Sequence, residues 1–246
     1  MTLTQPERDA NGRYLIKGRP FARVTEILRV FQDHKTIHRW EQRKLVQQLI
    51  MHPGMIGTSL DLDDIDAVIA ATLRDGTIDT PARIGTQIHE QTALHDTGQP
   101  ITRWTEVVDT YTAGLAERHI TIMSDLVERT VCYPDDDIAG TFDRIVEWEG
   151  RLVVADIKTG RWLNWLSIAA QLAAYAHAPC MLAPNGELED MPAVSLDTGL
   201  VLQLPANGAP MTVWEVDLWE GFRAWQLAVE LHDLSGVLVC ANEVEV

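Results

Sequence analysis

The run Gly140-Thr-Phe-Asp-Arg-Ile-Val-Glu-Trp-Glu-Gly-Arg-Leu-Val-Val-Ala-Asp-Ile-Lys-Thr-Gly160 constrains this chain more tightly than any other stretch. On either side of Glu149-Gly150, residues 138–148 and 151–158 follow the two-residue period of β-strands, so the segment predicts an antiparallel hairpin. With its tip at Glu149-Gly150, Asp143 falls opposite Asp156 and Thr141 opposite Lys158. Alternation gathers those four on one face and Phe142, Val146, Val153, Ala155 and Ile157 on the other, the pattern of a half-buried sheet.

Two carboxylates facing each other, with β-carbons about 4.5 to 5.5 Å apart, repel and cost stability unless something neutralises them. A divalent cation does so, and an oxygen-rich pair suits Mg²⁺ or Mn²⁺ better than zinc. A metal spanning the pair can activate a water and polarise a phosphoryl oxygen. Lys158, two residues beyond Asp156 on the same face, is placed to position that water or to balance charge developing on phosphorus. The alternative is a surface ion cluster in which Asp143 pairs with Arg144 or Lys158.

Along the rest of the chain, Gly12 to Phe21 reads as a small hairpin around Lys17-Gly18. Thr25 then caps helical sequence expected to run to Ile50. Met51 to Ser59 is loop-like, Asp61 to Leu73 resumes a helical period, and Thr80-Pro81 starts a helix that ends near His95. A further helix covers Thr105 to Arg118. The period then changes: Val127 to Tyr133 joins the hairpin as a strand, followed by a buried, alanine-rich helix over Leu163 to Ala178. Gly199 to Leu204 and Met211 to Val216 flank an Asn207-Gly208 turn, and Trp219 to Leu234 closes the chain as a helix. This order predicts a layered α/β domain.

At 246 residues and 46% apolar content the chain can bury a large core, so disorder as the main state is excluded. One elaborated domain is expected over 1–246, with a basic helical region over 1–79 and a core over 80–246. No apolar run has the length of a membrane span and no signal-peptide core opens the chain, which points to the cytoplasm. The net charge of −16 argues against a polyanion partner. That charge is uneven, because residues 1–50 carry ten Lys and Arg against five acids. A basic arm beside an acidic body can hold a polyanion on one side, and a solvated mixed-charge helix is the other reading. Cys132, Cys180 and Cys240 are widely spaced and form no Cys-x-x-Cys pair, so neither a disulfide framework nor a four-thiolate cluster is expected.

Gly140-Thr-Phe-Asp143-Arg-Ile, Asp156-Ile-Lys158-Thr-Gly and Gln171-Leu-Ala-Ala-Tyr175, in that order, resemble the RecB-like exonuclease branch of the PD-(D/E)XK nuclease superfamily. Upstream, Gly85-Thr-Gln-Ile-His89-Glu is similar to the Gly-x-x-x-His helix of the same branch, and the matched motifs span roughly 80–180. The resemblance implies a restriction-endonuclease-like α/β core, a mixed sheet flanked by helices, with an amino-terminal helical elaboration. It also implies hydrolysis of DNA phosphodiesters with one or two Mg²⁺ or Mn²⁺ ions, exonucleolytic rather than endonucleolytic, in phage or bacterial recombination or repair. Asp143, Asp156 and His89 become metal ligands by this resemblance. Lys158 becomes the catalytic lysine, and Gln171 and Tyr175 contact the DNA backbone or support the site. Glu128, on the preceding strand, is an additional metal or water-orienting candidate, against a default of an exposed strand glutamate. The partners implied are DNA and a recombination protein or a second copy of the chain.

His89 stands one helical turn beyond Gly85, where the missing side chain lets another segment approach, and a structural hydrogen bond is its alternative role. Gln171 and Tyr175 likewise share one helix face, and packing of Tyr175 with a hydroxyl partner is the alternative there. Pro134-Asp135 reads as a turn, which leaves Asp143 as the first acid. Iron-sulfur relatives, including the CRISPR-associated ones, need four placed cysteines, so no cluster is expected in a chain with three. Trp162 and Trp165 can stack on bases of a frayed strand, with core or rim packing the default, while Trp214, Trp219 and Trp225 are assigned to packing. Two functions of other classes stay open: a non-catalytic DNA-binding or recombination accessory module on the same fold, and an acidic protein-interaction module.

Overall fold

The computed structural model describes residues 6–32 and 81–235, with Gln42 and Val46. The chain divides into two compact units, Met1–Phe31 with Ile84–Val246 and Gln32–Arg83, and the first holds the sheet. The expected loop over 51–59, the helix over 61–73 and the Thr80 cap fall outside the described residues.

The central hairpin forms as its turn chemistry demands. Strands β4 (Ile138–Trp148) and β5 (Arg151–Lys158) pair from Trp148↔Arg151 to Arg144↔Ala155. Glu149 and Gly150 both take positive φ, 50° and 75°, the two-residue turn whose twist matches that of antiparallel strands. Around them are β1 (Tyr14–Ile16), β2 (Arg19–Arg23), β3 (Thr121–Tyr133), β6 (Cys180–Leu182), β7 (Leu188–Asp190), β8 (Thr198–Gln203) and β9 (Thr212–Asp217). The resulting mixed nine-stranded sheet runs β7-β6-β3-β4-β5-β8-β9, with β5 parallel to β8 and β2 parallel to β4. Pro134 and Asp135 lie in the turn that joins β3 to β4, as expected.

Strand β4 changes partners along one edge. Its carboxyl half pairs with β5 and its first two residues, Ile138 and Ala139, pair with β2, while β3 occupies the other edge. Between the two partnerships β4 runs through Gly140 to Asp143, and the Asp143 side chain reaches the Ile157 amide of β5 there.

Both faces of the sheet are covered, so the half-buried expectation is corrected. On one face lie α2 (Pro81–Asp96) and α3 (Thr105–Glu117), which pack Ile88, Val107, Tyr111 and Leu115 against Val146, Val153, Ala155 and Ile157. On the other, α4 (Trp165–Ala176) and α5 (Leu218–Ser235) pack against Ile145, Val154 and Val201. Phe142 belongs to this second layer, contrary to the simple alternation, because it sits where β4 leaves β5.

Other departures have local causes. Thr25 is inside the one-turn α1 (Val24–Ile27), with Arg23 at its amino end, and Leu28–Phe31 tightens into a 3-10 turn. Strand β3 starts six residues earlier than its pattern indicates because its register shifts between Ile122 and Val127, which scrambles the alternation. Strands β6 and β7 are too short, three residues each, to show a period. The Asn207-Gly208 turn is part of a longer connection in which Gly208 N–H donates to Pro205 O at 3.2 Å. Among the described residues no helix is long and apolar enough to cross a membrane.

Helix α4 comes close to β4 because Gly140 has no side chain. A β-carbon there would lie 2.6 Å from Tyr175 Cε1 and 2.8 Å from Val24 Cγ2. Gly140→Ala is therefore expected to lower unfolding free energy by about 1–3 kcal/mol through overpacking, read as a lower urea midpoint at unchanged m-value.

Candidate active site

Asp143 replaces a missing strand contact. Where β4 and β5 part, its Oδ2 accepts the Ile157 backbone N–H at 2.7 Å, and His89 Nδ1 on α2 approaches the same oxygen at 3.3 Å. The residue is 9% exposed. Burial would raise its pKa, but the facing His89 charge and hydrogen bond win and hold the carboxyl well below the ordinary range. Burial likewise opposes charge on His89, yet Asp143 wins again and lifts the imidazole to about 9. Gly85, one turn earlier on α2, lets the loop after β5 come close, since a β-carbon there would lie 3.0 Å from Thr159 Oγ1.

Glu128 joins this side of the site through the irregularity of β3, where it adopts φ of 52°. Its side chain is 18% exposed, which overturns the default of an exposed strand glutamate. Desolvation and the Asp143 charge push it up to about 7. His89, Glu128 and Asp143 each offer a ligand atom, and these atoms lie within 4.8 Å of one another.

Asp156 lies outside that close trio and faces a second set of partners. Lys158 Nζ stands 2.7 Å from Asp156 Oδ2, and Gln171 Nε2 donates to Asp156 Oδ1 at 3.3 Å. Lys158 also donates to Gln171 Oε1 at 3.4 Å, and Gln171 Nε2 reaches Tyr175 Oη at 3.2 Å. Gln171 and Tyr175 stand one turn apart on α4, as their spacing indicates, and Gln171 ties the helix to the strand. Burial would discharge Lys158, but Asp156 and Asp143 keep it an ammonium, while burial and the Asp143 charge push Asp156 up.

The ion-cluster alternative placed Asp143 with Arg144 or Lys158 at the surface; Asp143 and Arg144 are buried, and the part-exposed Lys158 pairs with Asp156. Arg144 is fully buried and does not pair with the Asp143 carboxylate. Its Nε donates to Asp96 Oδ2 at 2.6 Å and its Nη2 to Thr92 Oγ1 at 3.1 Å. Its Nη1 donates to Asp143 O at 2.7 Å and to Glu128 Oε1 at 3.2 Å. Tyr111 on α3 donates to the same Asp96 oxygen at 2.9 Å. This cage of Arg144, Asp96, Thr92 and Tyr111 escapes sequence reasoning; the available signal is an arginine at an inward-facing position of a strand, which must bring its own acid.

The donor set fits a divalent cation. It combines an imidazole with two carboxylates, and the neighbouring Asp156 is pushed up by burial and by the Asp143 charge even with the Lys158 ammonium 2.7 Å away.

The surroundings differ from expectation in two respects. In the amino-terminal segment Arg13, Lys17, Arg19 and Arg23 pair with Asp9, Glu187, Asp137 and Glu26, so these charges are already matched. Trp162 is 87% exposed rather than packed, Trp214 and Trp219 are also exposed, and Trp225 alone of the three assigned to packing is buried. Cys132 and Cys180 are cross-strand neighbours and free thiols.

No family model matches the chain, and no curated protein matches it. Among solved structures, one described as the crystal structure of SSO0001 has a TM-score of 0.34 and 13% identity, over 85% of this chain and 75% of that one. Similarity of that degree supports no conclusion about fold or chemistry.

Two outcomes are expected. Arg144→Met should cost about 3–5 kcal/mol in chemical denaturation, because Asp96 would remain buried without its counter-charge. Mn²⁺ affinity measured by calorimetry should rise from about pH 6 to about pH 9 with proton release, since binding must displace the proton that His89 holds up to about 9.

Proposed function

We propose that this protein is a metal-dependent deoxyribonuclease with a PD-(D/E)XK core of the RecB-like branch, acting as an exonuclease in bacterial or phage DNA recombination or repair. The observation that carries the reading is the convergence of His89, Glu128 and Asp143, whose ligand atoms lie within 4.8 Å of one another, beside Asp156 with the Lys158 ammonium at 2.7 Å. Asp156 is pushed up by burial and by the facing Asp143 charge, a crowding of carboxylates that a bound cation would relieve.

His89, Glu128, Asp143 and Asp156 would hold one or two Mg²⁺ or Mn²⁺ ions, which when bound supply a more acidic water and a polarised phosphoryl oxygen. Lys158 presents a fixed positive charge. Asp156 and Gln171 hold its ammonium from two directions, so it can orient an attacking water and offset negative charge on phosphorus without reorganising. Arg144 cannot play that part, being wholly enclosed; it holds Glu128 and the Asp143 backbone. With a net charge of −16, affinity for DNA should be modest and sensitive to salt.

The test is release of nucleotides from linear DNA in Mn²⁺. Wild type should release them, and Asp156→Ala and Lys158→Ala should each be slower by about 100-fold or more. Resistance of a closed circle would mark the activity as exonucleolytic. Equal rates in all three proteins, or none in wild type, would remove the mechanism.

A further inference from the structure

Beyond Lys158 the chain leaves the sheet and exposes indole rings instead of burying them. Trp162 is 87% exposed, and Trp165 and Trp214 are each 42% exposed. The Trp165–Trp214 pair is tied to the segment that carries Trp162. Lys158 is in register with Gln203 of β8, whose Nε2 donates to Gly160 O at 2.9 Å and whose Oε1 accepts the Trp214 indole N–H at 3.0 Å. Trp214 meets Trp165 edge to face, centroids 5.3 Å apart, and the Arg161 guanidinium lies 5.5 Å from the Trp162 ring centroid.

Each feature has a cost. An exposed tryptophan forgoes burial of a large apolar ring. Gln203 spends both ends of its amide fixing the segment and the ring pair to each other. Arg161 braces Trp162 and adds positive charge in a chain that is otherwise strongly acidic. Glu215, the acid next to Trp214, faces Arg151 at 3.7 Å.

We infer that Trp162, supported by Arg161 on the segment that follows Lys158, is a stacking wall for unpaired nucleotide bases, so that the substrate entering beside Lys158 is a single-stranded segment. Base faces in a duplex are already stacked on each other and are unavailable to a side chain, whereas unpaired bases offer a π-face whatever their identity. Stacking requires no net positive charge, and this suits a chain at −16 that cannot rely on phosphate neutralisation. The guanidinium at Trp162 fits a phosphate flanking the stacked base better than an apolar protein partner.

The inference rests on the proposed nuclease reading for its location but is tested without turnover. In EDTA at low salt, the full-length protein is titrated with a short fluorescein-labelled oligo-dT and with a blunt duplex, following anisotropy and tryptophan quenching. Wild type should bind the oligo-dT with quenching. Trp162→Ala should weaken it by about fivefold or more, Trp162→Tyr should restore most of the affinity, and duplex binding should be unchanged by either. Unaltered oligo-dT affinity in Trp162→Ala overturns the inference, as do absence of oligo-dT binding by wild type, equal loss for the duplex, and a change of oligomeric state that marks the patch as a contact between copies of this chain. Failure of the cleavage reading leaves this result standing, because the oligo-dT is bound without metal. Failure of the stacking wall leaves Asp156- and Lys158-dependent cleavage untouched.

Discussion

A carboxylate takes the place of a backbone carbonyl where two strands separate. The Ile157 amide, at the point where β4 and β5 part, is satisfied by Asp143 Oδ2. That bond fixes the acid in one orientation, and it makes the gap possible without leaving a buried N–H unpaired. Because the same oxygen faces His89, the acid stays ionised in surroundings that would otherwise neutralise it. The strand exchange on β4, from β5 to β2, is therefore the topological feature that leaves the Ile157 amide to Asp143.

Around that bond the charges divide into two groups with different tasks. One side gathers an imidazole and two acids whose ligand atoms lie within 4.8 Å of one another. The other side gathers Asp156, Lys158, Gln171 and Tyr175 in a chain of contacts that steadies one ammonium. Behind both, Arg144 is enclosed among Asp96, Glu128 and Thr92, so that the helix of His89 and the irregular strand of Glu128 are tied to the hairpin. Such a buried guanidinium is costly to desolvate and specifies geometry more than it adds stability.

Much of this was legible in the residues, for local reasons. The hairpin register followed from a two-residue turn with a glycine, and the placement of Gln171 with Tyr175 and of His89 with Gly85 followed from helical spacing. What escaped depends on contacts distant in sequence. Nothing near Arg144 announces Asp96 and Tyr111, which belong to α2 and α3. Glu128 takes a left-handed backbone conformation, φ 52°, within β3, and a strict alternation cannot represent such an irregular strand. Assigning Trp214 and Trp219 to packing assumed that large apolar rings are buried, and both are exposed.

The central claim is that His89, Glu128 and Asp143 form a cation site bordered by Asp156 and Lys158. Anomalous diffraction from crystals soaked in Mn²⁺ tests it most directly. The account predicts a peak at bonding distance from side chains of the trio, lost in Asp143→Ala crystals; a fully occupied Mn²⁺ bound elsewhere, with His89 still hydrogen-bonded to Asp143 and nothing between the acids, would contradict it.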